Sequence, residues 1–432
     1  MRVQARGDLA EYALAVRSFS RNARLFIVHV IGMDTVHGTS LVLVNLYFLA
    51  VGLPIEFIGL RLLLGGIAGA AFSVPAGLIS DRIGRKWSFI IGDGAGAALY
   101  LITIFSVDQG ILLGTGVLSA IAGTLHGVSE PAFMAENSEQ RERVHLFSVS
   151  DGLRTLSAMV GSLLGGFVPL LAASLADKVT LYRASIFIGI AIWALSLIPA
   201  LMLRGRDRPL ERGAPGIRGV FTGVRHPDRI MRLVAIGGLV ALGFGFVGPL
   251  FNVFFYEGLH AHTHDIGVTF ASGSLFVALA ALAAPFLAAR MTKVQAVVGT
   301  RLLAVPFILL IGLSPSLATV TTVLTLAGLA YVIRSVLASA ASPIAEAFTM
   351  EILDPGERGT MVGLRSAAQQ TLSGLGAFLG ARLMAGGDYV TPFLVMAATY
   401  AASAALFWVW FRPVERGAQT TPAIAVAGEP AD

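Results

Sequence analysis

The sequence predicts an all-α integral membrane protein of twelve transmembrane helices in two pseudo-symmetric six-helix halves. Three observations carry this prediction. Hydrophobic residues make up 55% of the chain and charged residues only 13%, with a mean hydropathy of +0.77, well outside the range of soluble domains. Apolar segments of about 20 residues, the length that crosses a bilayer, follow one another along the chain. Finally, Gly59 to Arg85 aligns without a gap on Gly267 to Lys293 at an offset of 208, and Gly152-Leu153-Arg154 recurs as Gly363-Leu364-Arg365 at an offset of 211. Two nearly equal offsets point to one duplicated six-span unit.

The first half covers residues 25–203, with spans at 25–50, 57–80, 87–106, 110–133, 146–172 and 182–203. A segment of residues 1–24 precedes it, in which Leu9, Tyr12, Ala13, Val16 and Phe19 could form an interfacial amphipathic face. Residues 204–230 are rich in Gly, Pro and Arg and read as a linker. The second half covers residues 231–412, with spans at 231–256, 266–289, 294–313, 317–344, 360–382 and 390–411. The Ala/Pro/Thr-rich tail, residues 413–432, reads as disordered. Of the 31 Lys and Arg, 23 fall in the segments on the side of both termini, three on the other side, and five within or at the edges of spans. That bias places both termini in the cytoplasm of a multi-pass protein of the cell (inner) membrane. The net charge of +5 is therefore a topology signal rather than a sign of nucleic-acid binding. With no cysteine, disulfides and thiolate metal sites are excluded.

Between spans two and three lies Gly77-Leu78-Ile79-Ser80-Asp81-Arg82-Ile83-Gly84-Arg85-Lys86. A carboxylate and three cations in six residues cannot lie in hydrocarbon, and Gly84 permits the sharp reversal a hinge needs. The stretch resembles the signature loop of the major facilitator superfamily, Gly-x-Leu-x-Asp-Arg-x-Gly-Arg-Lys, with Ile79 in the leucine place. The resemblance implies that superfamily's twelve-helix fold, alternating access, and a latch in which Gly77, Asp81, Arg82, Gly84, Arg85 and Lys86 close the cytoplasmic side. Asp81 would then face the start of span eleven, from Arg358 to Arg365. In the second copy Ala289 replaces the carboxylate and Pro285 the first glycine.

Asp34 lies about 15 Å into the first span, near the midplane. A carboxyl there needs a partner, a wet cavity or a proton. His37 and Asn45 share an arc of about 80° with it, a polar stripe that would look into a bundle cavity. Asp34 and His37 are the candidates for proton coupling, with a structural ion pair or hydrogen bond as the competing role. His126 and Glu130, one turn apart near the end of span four, are either substrate contacts or interfacial polar groups. The superfamily's usual fourth-span arginine is Gly123 here. Arg334 in span ten is a buried cation needing an anionic or carbonyl partner, such as Asp34 or a substrate group. Phe251, Asn252 and Tyr256 belong to an aromatic group in span seven suited either to lipophilic solutes or to anchoring at the interface. Asp151, Arg154, Arg365 and Gln369 open spans five and eleven and read as gate partners. Asp93 reads as paired with the nearby basic loop. Gly161-Ser162-Leu163-Leu164-Gly165-Gly166 resembles the superfamily's antiporter motif, with Ser162 in the proline place.

Two patterns are set aside. Gly243-Phe244-Gly245-Phe246-Val247-Gly248 has dinucleotide-fingerprint spacing but lies inside a span, so it reads as helix packing. His260, His262, His264 and Asp265 could bind Zn²⁺ but have no further ligand, and read as a solvated loop. No P-loop, His-Glu-x-x-His or Gly-x-Ser-x-Gly occurs, which argues against an enzyme. The sequence thus predicts a monomeric secondary transporter without cofactors, driven by a proton gradient. Its partial antiporter motif and largely apolar cavity favour export of lipophilic or amphiphilic drug-like molecules. The alternative is proton-coupled or facilitated uptake of a polar solute such as a sugar or organic anion.

Overall fold

The computed structural model describes residues 18–204, 225–317, 320–340 and 342–420. The amphipathic face at Leu9 to Val16 and most of the 204–230 linker lie outside them. The first half contains α1 (Arg21–Ala50), α2 (Ile55–Ile83), α3 (Arg85–Phe105), α4 (Gln109–Glu136), α5 (Gln140–Leu171) and α6 (Lys178–Leu201). The second contains α7 (Pro227–Val247), α8 (Thr263–Arg290), α9 (Lys293–Leu317), α10 (Val320–Ala340), α11 (Pro355–Ala385) and α12 (Thr391–Thr420), with a short helix, Ser342–Glu351, following α10. Among the described residues, ten helical segments are long and apolar enough to cross a membrane. Helices α8 and α11 take the eighth and eleventh places. Arg358, Arg365, Gln369 and Gln370 lower the apolarity of α11 because much of it faces cavities and the other half rather than lipid.

The helix ends follow their caps. The Ser20 hydroxyl accepts from the Ala23 N–H at 3.2 Å, so α1 begins four residues before the apolar run. Asp108 and Asp177 cap α4 and α6 in the same way. At Gly84 the backbone has φ +83°, which lets α2 reverse into α3. The tail expected to be disordered from residue 413 is instead helical through Thr420. Pro413 is tolerated inside α12, and the Glu415 carboxyl two residues on accepts from the Val294 N–H at 3.3 Å, anchoring this turn to the start of α9. The apolar run of α7 continues to Gly258 through a tight turn at Gly248–Leu250, a single α-turn and a π-turn at Phe254–Gly258.

Packing repeats between the halves. Helix α1 packs on α5 and α6, α4 on α2 and α3, and α3 on α6. In the second half α7 packs on α11 and α12, α10 on α8 and α9, and α9 on α12. The two halves meet along α2–α11 and α5–α8, which the duplication relates to one another. Glycine makes these approaches possible. A Cβ on Gly161 would lie 2.0 Å from the Thr35 carbonyl oxygen, and one on Gly380 2.2 Å from that of Phe246, so α1–α5 and α7–α11 touch backbone to backbone. Between the halves, Gly166 faces Gly267, and Gly59 faces the Ala377–Ala381 turn of α11.

Hydrogen bonds join the halves at the end opposite the chain termini. The Asn45 amide donates to the Pro249 carbonyl at 2.7 Å and to Asn252 Oδ1 at 2.9 Å, and Asn252 donates to the Val42 carbonyl at 3.0 Å. The Thr263 hydroxyl donates to the Gly166 carbonyl at 3.1 Å, and Lys178 reaches Tyr256. Toward the basic end both α2 and α11 have open faces: at Gly77, Gly359 and Gly363 an added Cβ would meet nothing within 4 Å.

Candidate functional site

In the first half, five helices bring their polar residues into one chain of contacts. Arg154 on α5 hydrogen-bonds Glu130 on α4, and its Nε stands 3.7 Å from Asp34 Oδ2 on α1. Glu130 faces His126 Nε2 at 3.5 Å, and His126 Nδ1 lies 2.8 Å from Asp93 Oδ2 on α3. The same carboxyl oxygen lies 2.8 Å from His29 Nε2 on α1, and His29 Nδ1 meets Ser196 on α6 at 3.0–3.1 Å. Exposure falls along the chain, from 26% and 14% at the Arg154 and Asp34 side chains to 0% at His29. Phe26, Phe89 and Phe133 seal the buried end, with Phe89 5.1 Å from the His126 ring.

This arrangement corrects two expectations. Asp93 is paired with two histidines rather than with the basic loop, because the face of α3 that carries it meets His29 of α1 and His126 of α4, about two turns along the helix from the loop. His126 and Glu130 are buried network members, not interfacial groups. His29 belongs to no motif, and the one sequence signal for it is a titratable side chain eight residues inside an apolar helix. The donor atoms of His29, Asp93 and His126 lie within 4.8 Å of one another, close enough in number and type for a metal. Here they are spent on each other, one oxygen serving both imidazoles.

The polar stripe expected on α1 divides by depth. Asp34 joins Arg154, His37 is exposed, and Asn45 closes the far end against α7. Asn252 takes part in that closure, and Tyr256 meets Lys178 across the halves. Phe251 is core, stacked edge-on against Tyr331 at 4.9 Å. His262 and Asp265 form the capping box of α8, the expected loop cluster doing structural work at a helix start.

The gate residues stay within their own halves. Asp81 pairs with Arg85 at 2.7 Å instead of facing α11, and Arg85 also approaches Glu136 at 3.5 Å. Arg365 pairs with Glu346 at 2.7 Å. Lys86 lies over the Trp87 ring, while Arg82 and Asp151 are exposed. Open space beside Gly77, Gly359 and Gly363 accompanies the unmade latch contact.

Between the halves lies a cavity of about 510 Å³, lined mainly by small and apolar groups of α2, α4, α7 and α11, together with Arg61, Gln369 and Gln370. A side chamber of about 190 Å³ opens inside the second half, with Arg301, Glu346, Arg365, Gln369, Tyr400 and Phe407 in its wall. Arg334 does not reach Asp34. It donates to the Tyr400 hydroxyl at 3.2 Å and sits over the faces of Phe244, Phe251 and Tyr400 at 5.3–5.8 Å.

The sequence pattern of the Major Facilitator Superfamily matches residues 25–333 and 233–429. The chain belongs to this superfamily. Among curated superfamily proteins it is 27% identical over 156 residues to the multidrug resistance protein MdtH of Edwardsiella ictaluri (strain 93-146), a match spanning 36% of this chain and 38% of that protein. Among solved structures it resembles the nucleoside transporter NupG, with a TM-score of 0.69 at 14% identity, covering 91% of this chain and all of that one. It also resembles the human organic anion transporter MFSD10 (TETRAN), with a TM-score of 0.62 at 18% identity, covering 90% and 99%. At these identities the superfamily fold is what the structures share. The match to MdtH spans little more than a third of that curated relative's length, and the chain is a multi-pass membrane protein of this superfamily.

Proposed function

We propose that this superfamily member is a proton-coupled exporter of lipophilic or amphiphilic small molecules. It rocks its two halves about the central cavity as a monomer in the cell (inner) membrane, with both termini in the cytoplasm and the proton gradient as its energy source. The observation that carries this reading is Arg154 standing between two carboxyl groups. Glu130 has it in a hydrogen bond, whereas Asp34 holds it only by charge, its Oδ2 being buried without a hydrogen-bond partner. Protonating Asp34 removes that attraction and leaves Arg154 to Glu130, so one proton changes how α1 is held to α5. In the low dielectric of a helix bundle such a change is large enough to bias a two-state equilibrium.

Export is supported by the multidrug name of the curated relative and by the apolar lining of the cavity. The nucleoside and organic anion transporters have the same fold with different cargo, so the fold does not select the direction or the solute.

The test is proton movement in proteoliposomes loaded with a pH-sensitive dye, with a panel of lipophilic compounds, sugars and organic anions added outside. Wild type should exchange protons against a lipophilic compound, and Asp34→Asn should bind that compound without exchanging protons. Equal exchange by the variant would remove Asp34 from the coupling. Proton symport with a sugar or organic anion would replace export with uptake.

A further inference from the structure

We infer that the cargo is an amphiphilic anion, its acidic head held in the side chamber of the second half by Arg301 and its apolar body in the cavity between the halves. This rests on the transport reading above and narrows its substrate class.

The interior arginines fall into two groups. Arg154 and Arg365 have carboxylate partners. Arg61, Arg301 and Arg334 have none among the described residues. Arg61 donates to the Leu112 carbonyl at 3.2 Å and lies over Phe48 at 5.3 Å, and Arg334 has the Tyr400 hydroxyl and aromatic faces. Arg301 has the Phe407 ring at 5.5 Å, and its Nη1 is buried without a hydrogen-bond partner. A guanidinium stays charged in a protein, so these are permanent positive charges in the membrane interior without counter-ions. A negative ligand would supply what the protein does not.

The chamber is built to receive it. Beside Arg301, its wall offers the Gln369 amide and the Tyr400 hydroxyl. Tyr400 already accepts from Arg334, which leaves its own proton to donate. The one carboxylate in the wall, Glu346, is half exposed and paired with Arg365. At about 190 Å³ the chamber is smaller than the roughly 300–1,000 Å³ of a site that encloses a whole drug-sized ligand. It suits a carboxylate, sulfonate or phosphate head. The apolar remainder has a place beside it, because Gln369 also lines the 510 Å³ cavity, whose wall is largely Gly, Ala, Leu and Phe244. Arg61 in that wall adds to the positive field.

The test uses the full chain in neutral detergent micelles and three probes on one scaffold: 1-naphthalenesulfonate, 1-naphthylmethanol and 1-naphthylmethylammonium. Ligand binding raises the melting temperature. The sulfonate should raise it in a saturable way, and the alcohol and ammonium should not. Arg301→Gln should raise the half-saturating concentration about tenfold or more, Arg301→Lys less, since lysine keeps the charge but not the fork. Ala345→Phe, which fills the chamber without removing a charge, should also abolish the shift and covers the case in which Arg301→Gln does not fold. Asp34→Asn should keep the sulfonate shift whether or not it exchanges protons, so failure of the coupling reading and failure of this one are separable. Equal stabilisation of wild type and Arg301→Gln by the sulfonate, or of wild type by the ammonium, overturns the proposal. So does a shift produced by phosphatidylglycerol that depends on Arg301 and blocks the sulfonate, which would make the chamber a lipid-headgroup site.

Discussion

Arg154 holds Glu130 by a hydrogen bond and Asp34 at 3.7 Å, so removing its charge leaves two carboxyl groups facing one another inside the first half. Arg154→Gln should destabilise the protein by about 2–3 kcal/mol, less than a fully buried pair because the arginine is a quarter exposed. Adding Glu130→Gln should return most of that loss. Thermal melting of the two single variants and the double variant reads the coupling directly, and additive effects would mean that the two residues do not act as a pair. Of the network, Asp34, His126, Glu130 and Arg154 were legible in the sequence as polar residues in apolar spans. Their connection was not. In sequence Asp93 reads as a partner of the nearest cations, whereas its partners are 64 and 33 residues away, on two other helices. Periodicity gives the face of a helix but not which helix that face meets.

Among the elements, α11 has its start clamped by one carboxyl. Glu357 in its first turn accepts from the N–H groups of Arg225, His226 and Asp354, at 2.5, 2.6 and 3.3 Å. Desolvation acts to raise this carboxyl, but the three N–H bonds outweigh it and hold it below the ordinary glutamate value of 4.5. A group lowered on folding contributes stability above its unfolded value and loses it as pH falls through its folded one. Wild type should therefore melt above Glu357→Gln at pH 7, and the gap should close as the pH falls below about 4.5. A gap independent of pH would assign the contact to shape rather than charge. The clamp ties the far end of the linker to α11, a connection hidden in the sequence because its donors are backbone groups. The break in α7 was equally hidden, since Phe254–Gly258 reads as continued apolar helix. The twelve spans themselves were legible because hydropathy needs no partner to be read.

On the scale of the whole molecule, the end opposite the termini is closed by amides. Asn252→Ala removes both the Asn45 bond to its side chain and its own bond to Val42, about 1 kcal/mol each. The halves should part more often at that end. Because the chain has no cysteine, Ala377→Cys in the cavity wall reports this cleanly. A bulky impermeant maleimide added from that side should label it roughly fivefold or more faster in the Asn252→Ala background. An unchanged rate would place the closure elsewhere, in the glycine seams. Interior charge also differs between the halves: the first holds the carboxyls Asp34, Asp93 and Glu130 together with Arg61 and Arg154, whereas the second holds Arg301, Arg334 and Arg365 with Glu346 as the one carboxylate in the chamber wall. The duplication was visible in sequence, but which of these charges have partners became visible only once the helices were folded into their halves.

The seams at Gly166–Gly267 and Gly59–Ala381 have a mechanical consequence. Interlocked side chains turn a joint into a gear that moves tooth by tooth, each step needing its own repacking. Bare backbone on bare backbone is closer to a plain bearing, smooth along its length and without notches at which to stall. On the proposed rocking mechanism, resistance to the stroke then falls to the few polar catches at the rim, and turnover is expected to be set there rather than along the shaft.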